Sequence, residues 1–440
     1  MNVYNALAWL NFFIADVRDG LGPYLGVFLK NHGFLEGHIG LIGTITALCA
    51  LAFGVPLGIL VDKTRYKRAL IAFCILAITS SVLLNYFYPT FAFTLIAQAS
   101  IALCGVCLAP AFAALTLGIV GRGAYAKQTS KNEAYKHAGT AFSAGVSLVC
   151  AYYYGIVAIF IITAFMGVFS LICLAFLRNA PIDHAIARGE SEAVDCGEST
   201  ATSDIIESRE SKQPLDSNRP LSSVFTDKRI ITLSLAVFCF HLSNAAMLPL
   251  LSQRAHMLGI DTSGAYAAAT IIIAQSTMIF VALLCGKLIT NPHEASSTKS
   301  GAGKQNSRVF RTLLALMALA LFGLCVRSIV AANSESLAGM VITQILDGVG
   351  AGIVGVILPI LVAIILRGSG HINAGLAFVM TCGGIGGAFS GSLGGFVAQY
   401  FGYFYAYMAL GSAALVGLVA WGLFLGVFRD IERAKRVITK

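Results

Sequence analysis

Apolar residues in this chain come in long runs separated by short polar clusters. The runs cover residues 6–29, 38–61, 69–88, 91–119, 134–153, 155–177, 230–252, 264–289, 309–332, 337–366, 372–400 and 403–428. Each approaches or exceeds the roughly 20 apolar residues that one helical bilayer crossing needs. The pattern predicts an all-α membrane protein with twelve transmembrane helices. One polar stretch is far longer than the others, Arg178 to Arg229, and is rich in Ser, Glu and Asp. It holds too few apolar residues to fold alone and is expected to be a mostly disordered linker. The expected division is a six-helix bundle over 1–177, a linker over 178–229 and a second six-helix bundle over 230–440.

Composition sharpens this picture. Of 440 residues 57% are hydrophobic and only 12% charged, with a mean hydropathy of +0.80. That is more apolar surface than one or two globular cores enclose, which excludes a soluble enzyme. The net charge of +9 would suit a nucleic-acid partner if the basic residues were clustered on one domain. Instead, all but four of the 30 Lys and Arg fall in alternate loops, the linker and the C-terminal tail; the exceptions are Arg18, Lys30, Arg254 and Arg327. The basic residues therefore read as topology signals that put both termini in the cytoplasm, with lipid and not nucleic acid as the partner. No cleavable leader is expected, since Met1 to Asn5 carries no basic residue. Ten of the eleven cysteines lie in apolar runs, including Cys104 and Cys107, and with no histidine cluster beside them they read as packing residues. Neither a metal nor a cofactor is expected.

The two halves resemble one another. Aligning Pro110 with Pro359 brings Gly139-Thr-Ala-Phe142-Ser143 within two residues of Gly386-Gly-Ala-Phe389-Ser390 and sets Gln98 opposite Asp347. Superposing Pro23 on Pro249 matches Phe12 with Phe238. A duplicated six-helix unit with a binding site at the midplane between its copies is the natural reading.

Between the second and third runs stands Gly58-Ile-Leu60-Val-Asp62-Lys63-Thr-Arg65-Tyr-Lys67-Arg68. This segment resembles the G-x-L-x-D-x-x-x-x-[RK]-[RK] signature of the major facilitator superfamily, in the loop where that family carries it. The resemblance implies two pseudo-symmetric bundles that rock about a cavity lined by helices 1, 4, 7 and 10. It also implies a conformational lock made by Gly58, Asp62, Arg65, Lys67 and Arg68. A glycine there lets another helix approach, and a carboxylate can accept from helix N-terminal N–H groups. The second-half counterpart, Gly286-Lys-Leu288-Ile-Thr290, has threonine at the acidic position, so its lock should be weaker. The Gly-Pro of the family's antiporter signature is absent from 139–155, and Gln98 stands in the region where many proton-coupled exporters carry arginine.

Charges inside apolar runs are costly unless paired or hydrated, and so point to function. The first run carries Asp16, Arg18 and Asp19. Counted along a helix, Asp16 lies near the midplane and Asp19 about one turn further out on the same face. Asp16 is the candidate proton carrier and Asp19 its support. His241, Asn244, Gln344 and Asp347 fall at similar depth and complete the candidate cavity, with Asp347 as the reserve proton site. Glu133, Lys136 and His137 read as a charge cluster at the mouth of the fifth helix. Gly383, Gly387, Gly391 and Gly395, at four-residue steps, read as a close-packing stripe against which the lock segment rocks. Gly301-Ala-Gly303-Lys304-Gln305 has Thr298 where a phosphate loop needs glycine, and Ser390 has no histidine at a usable spacing, so neither ATP coupling nor hydrolysis is expected. The function expected is secondary active transport of a small organic solute, coupled to protons and directed to efflux of a metabolite, siderophore or drug-like compound. A solute:proton symporter for uptake is the alternative, and a non-transporting sensor on the same scaffold is the rival from another class. The setting expected is a bacterial inner membrane, with the chain acting as a monomer.

Overall fold

A computed structural model of the chain describes residues 2–19, 24–34, 36–155, 157–190, 220–260, 265–290 and 299–428. Among the described residues every regular element is a helix. They run α1 Val3–Asp19, α2 Tyr24–Asn31, α3 Glu36–Lys63, α4 Lys67–Phe87, α5 Phe91–Tyr154, α6 Val157–Phe176, α7 His184–Arg188, α8 Ser222–Thr226, α9 Lys228–Asn244, α10 Met247–Met257, α11 Ala265–Thr290, α12 Lys299–Asn333, α13 Leu337–Ile365, α14 Ile372–Phe401 and α15 Tyr403–Phe424. A 3₁₀ turn, Leu425–Phe428, follows.

Ten described helices are long and apolar enough to cross a bilayer. One of them is two crossings: α5 breaks at Gly121, whose φ of 69° suits a residue without Cβ. Beyond that break the chain turns back, and Asn132 donates to Thr116 Oγ1 at 3.2 Å. Paired, α1 and α2 supply the remaining crossing, which gives twelve. The lock loop is short, with only three residues between α3 and α4, and Lys67 folds back to donate to Val61 O at 2.7 Å and Thr64 O at 3.1 Å.

Both described ends of the long polar stretch are helical. Asp183 caps α7 by accepting from Ile186 N at 2.8 Å, and Asp227 caps α9 by accepting from Arg229 N at 2.8 Å. On α8, Val224 is buried and Phe225 packs on Phe378 with ring centroids 5.2 Å apart. Residues 191–219, the centre of the expected linker, lie outside the described residues.

One buried cluster draws only on residues from Ala6 to Ala187 and another only on residues from Ala246 to Leu410. The largest joins 224–428 with Leu117, Tyr125 and Ala134 of α5. The internal resemblance has a structural counterpart. Gly139 of α5 lies against the Phe12 carbonyl of α1, and Gly386 of α14 lies against the Phe238 carbonyl of α9. In each case the residue one turn on is a serine bonded across the same interface: Ser143 donates to Asp16 Oδ1, and Ser390 Oγ accepts from Ala246 N at 2.9 Å.

The four-residue glycine stripe of α14 does not pack as a unit. Gly383 meets His241 and Val237 of α9, but Gly391 and Gly395 have no neighbour within 4 Å, and a Cβ at Gly387 would find only Ala245, at 3.7 Å. The tight face is one residue round the helix, at Gly386, Ser390 and Gly394. Helical spacing alone gives the period of a small-residue face but not which of two adjacent faces meets a backbone. Gly386→Leu should therefore lose about 1–3 kcal/mol or more through overpacking, while Gly387→Leu should leave the melting temperature of the purified protein nearly unchanged. Equal destabilisation of the two variants would contradict this packing.

Candidate functional site

A cavity of 590 Å³ lies at the centre of the bundle. Its wall includes Asn11 of α1, Phe112 of the first arm of α5, His241 of α9 and Pro359 of α13, the four crossings that the resemblance implies. The second arm of α5, α11 and α14 also contribute, through Glu133, Gln275 and Met380.

Most of the cavity's charge comes from that second arm. Lys136 forms an ion pair with Glu133 Oε2, and His137 Nε2 lies 3.7 Å from the same oxygen. Across the cavity His137 Nδ1 is 2.7 Å from Gln275 Oε1 of α11. A Cβ on Gly355 of α13 would lie 2.8 Å from Glu133 Oε2, so bare backbone is what admits the carboxylate there. Glu133, Lys136 and His137 are thus wall residues and not a charge cluster at a helix mouth. The arm begins just after Gly121, twelve residues before the apolar run, which sets them about three turns deep. Amides extend the polar lining: Gln128 Nε2 donates to Asn132 Oδ1 at 2.7 Å, and Asn11 Nδ2 donates to Leu7 O at 2.8 Å.

The sequence candidates divide. His241 and Asn244 line the cavity, whereas Asp16, Gln98, Gln344 and Asp347 do not. Asp16 is half-buried and turned to Ser143 of α5, because Asn11, Ile14 and Ala15 are the α1 residues that point inward. The side chains of Arg18 and Asp19 lie outside the described residues. Gln98 is half-buried nearer the other end of its helix than the lining residues Leu108 to Thr116. Gln344 is fully buried, with no hydrogen bond from its amide to any described residue.

Asp347 belongs to a buried ion pair one layer behind the wall. Arg327 of α12, 0% exposed, places Nη1 2.9 Å from Asp347 Oδ1 and donates from Nε to Thr343 O at 3.2 Å. The same Nη1 donates to Asn244 Oδ1, so a cavity residue is held by the ion pair. Sequence counting had set Arg327 aside with the few basic residues that topology does not explain. Its position inside the 309–332 run was the signal.

The candidate lock residues Gly58 and Asp62 meet the start of α14. Asp62 Oδ1 accepts from Asn373 Nδ2 at 2.7 Å and Asn373 N at 3.2 Å, and Oδ2 accepts from Ala374 N at 2.8 Å. The carboxylate thereby caps the N-terminus of α14, where the helix dipole favours negative charge. A Cβ on Gly58 would come within 2.5 Å of Ala377 Cβ. Lys67 is buried, Arg68 donates to Ala180 O, and Arg65 is exposed. Asn373 Nδ2 also donates to Ala187 O at 3.1 Å, and Gly368 N donates to Gly189 O at 2.5 Å, so the α7 segment is bonded to the same turn. Beside it, burial first and then Lys67, Arg65 and Arg188 hold His184 below the usual imidazole range, so it is neutral at pH 7. In the second half, Gly286 packs on Ser130 of α5, where a Cβ on the glycine would lie 2.8 Å from Ser130 Cβ. Thr290's side chain lies outside the described residues.

These contacts are confined to the end of the bundle that carries the basic loops. Along α3 and α14 they step from Gly58 and Ala377 through Gly54 and Thr381 to Leu51 and Gly384, beyond which Gly391 and Gly395 face open space. Along α5 and α11 they step from Ser130 and Gly286 to His137 and Gln275, beyond which Gly145 meets nothing within 4 Å. Among the described residues these contacts close the cavity toward the basic end, and no comparable contact closes it toward the other. Among the described residues no group of three His, Cys, Asp or Glu side chains is placed to hold a metal ion.

Comparison with known proteins agrees with this geometry. The sequence model of the Major Facilitator Superfamily matches residues 7–301. An uncharacterized MFS-type transporter of Mycobacterium tuberculosis, found in strains CDC 1551 / Oshkosh and H37Rv, is 34% identical over 427 residues, covering 95% of this chain and 92% of its own. Among solved structures, the human organic anion transporter MFSD10 (TETRAN) is similar with a TM-score of 0.67 at 14% identity, over 95% of this chain and 98% of that one. A variant of the E. coli fucose:proton symporter FucP gives 0.65 at 15%, over 96% and 98%. At those identities the structures show the shared fold.

Proposed function

The chain belongs to the major facilitator superfamily, and from that premise we propose that it carries a small organic solute through the central cavity by alternating access, in symport with protons. It is a multi-pass membrane transporter and not an enzyme. One observation carries the reading: a largely apolar cavity with one charged arm in its wall, closed at one end by the Asp62 contacts and without comparable contacts among the described residues at the other. A carrier that exposes its site to one side at a time needs such an asymmetric state and a second one with the asymmetry reversed.

We assign the basic end and both termini to the cytoplasm of a bacterial inner membrane, because charged loops of this sign are retained on that side. On that assignment the state described here faces outward. The proposed working unit is a monomer of two bundles, 1–177 and 230–440, joined by 178–229.

Symport is favoured over the efflux that family resemblance suggested, and the reason is the wall chemistry. Glu133 is the acid that lines the cavity, and it is paired with Lys136. A solute that draws Lys136 away leaves Glu133 without its cation, and a proton loaded with the solute balances that charge. Solute and proton load together, which is co-transport. The proton carrier is accordingly Glu133 in place of Asp16, which is bonded to Ser143 away from the cavity. In proteoliposomes, Glu133→Gln should lose the response to an imposed pH gradient yet keep solute exchange, since a neutral amide mimics the protonated acid. Asp16→Asn should keep that response. The reverse result would return the coupling site to α1, and a parent protein indifferent to the gradient would remove proton coupling altogether.

A further inference from the structure

We infer that the cavity takes an amphipathic organic monoanion, a carboxylate carried on an apolar body, with Lys136 as its counter-ion; this rests on the transport reading above. The charged groups of the wall differ in what they leave open. Lys136 keeps 25% of its side chain accessible, against 16% for Glu133 and 9% for His137. Glu133 Oε2 is approached from three sides, by the Lys136 ammonium, His137 Nε2 and the backbone at Gly355. His137 Nδ1 is engaged by Gln275. A head group arriving from the open end therefore meets the ammonium first.

Charge accounting favours the same sign. A cation at Glu133 would either displace Lys136 or share the carboxylate with it, and in both cases the dehydrated site would carry a positive charge in excess of its acid. An anion instead supplies the Lys136 ammonium with a new acceptor as it leaves Glu133, and the proton taken up by Glu133 restores neutrality. The remaining wall suits an apolar body. Facing the charged arm are Val354 and Leu358 of α13 and Leu376 and Met380 of α14, with Phe112 and Phe240 at the sides. His241, also on the wall, makes no side-chain hydrogen bond with any described residue and offers the solute a second polar contact.

The test uses the full-length purified protein and three probes that share one body and differ in the head: phenylbutyrate, phenylbutylamine and phenylbutanol. Phenylbutyrate should raise the melting temperature and bind better than the amine, since a ligand of the folded state stabilises it. Lys136→Gln should weaken phenylbutyrate roughly tenfold or more while leaving phenylbutanol unchanged, and Lys136→Arg should retain binding, as expected for a charge-assisted contact. Gly387→Trp, whose side chain enters the cavity, should abolish binding of all three. Preferred binding of the amine, lost in Glu133→Gln, would overturn the anion assignment and leave the cavity as the carrier site. Phenylbutyrate weaker than about 1 mM would also overturn the assignment. Phenylbutyrate binding that survives Gly387→Trp would put the ligand outside the cavity and overturn both readings.

Discussion

Asp62→Asn should cut transport at least about tenfold while leaving solute affinity within a few-fold. The carboxylate accepts three hydrogen bonds from Asn373 and Ala374 at the start of α14. Hydrogen bonds to a charged group contribute about 1.5–3 kcal/mol each, and an amide at this position supplies one acceptor oxygen and no negative charge for the helix terminus. Losing even one such bond shifts a two-state equilibrium about tenfold or more, away from the state that is closed at the basic end. Asp62 itself is not part of the cavity wall, so the chemistry that binds solute is untouched. Counterflow of a labelled carboxylate in proteoliposomes, with thermal-shift binding alongside, checks both halves of this expectation. A folded Asp62→Asn protein that transports normally would mean that the bonds to α14 do not control exchange. Loss of binding in a folded variant would move Asp62 into the site.

The second large effect is structural. Arg327→Met should destabilise the protein by about 3–5 kcal/mol, because it leaves Asp347 buried and without its cation. Asn244 loses its donor in the same step, so solute binding should fall along with stability. Pairing the change with Asp347→Leu should recover most of the stability, since an apolar pair of similar volume avoids the cost of burying charge. Melting temperatures of the single and double variants measure this directly. If the double variant were no more stable than the single one, the pair would not be the source of the loss.

Much of the fold was legible in the sequence, and the parts that were not share a physical cause. Hydropathy finds a helix through the side that faces lipid or apolar neighbours, and that located all twelve runs, though not where the fifth begins. The second arm of α5 starts with Tyr125, Thr129, Asn132 and Glu133, residues that face a cavity, so its first three turns read as a loop. The most charged part of the cavity was misread with it. Asp16 was found at the right depth, but depth is set by counting residues whereas facing depends on where neighbouring helices lie, and α1 turns Asn11, Ile14 and Ala15 inward. Arg327 was visible as an arginine in an apolar run, but the partner that gives it meaning is on another helix. Gly58 and Asp62, singled out by the motif, do meet the start of α14, through backbone atoms of Asn373 and Ala374 together with the Asn373 amide and the Ala377 methyl. The matched Phe12 and Phe238 proved to mark the same glycine-to-carbonyl contact in both halves, one that neither residue's side chain makes.

Alternating access requires the basic end to open, and one disulfide tests that requirement. Gly54 of α3 and Thr381 of α14 face each other across the closed end, where a Cβ on Gly54 would lie 3.8 Å from Thr381 Cβ, the usual spacing for a disulfide. A Gly54→Cys, Thr381→Cys protein, oxidised in proteoliposomes beside the parent protein under the same oxidant, would have its closed end tied shut. Transport of the carboxylate probe should stop, binding from the open side should persist, and reductant should restore the flux. Full transport by the cross-linked protein would contradict the proposal, because the solute would then be crossing without the basic end ever opening.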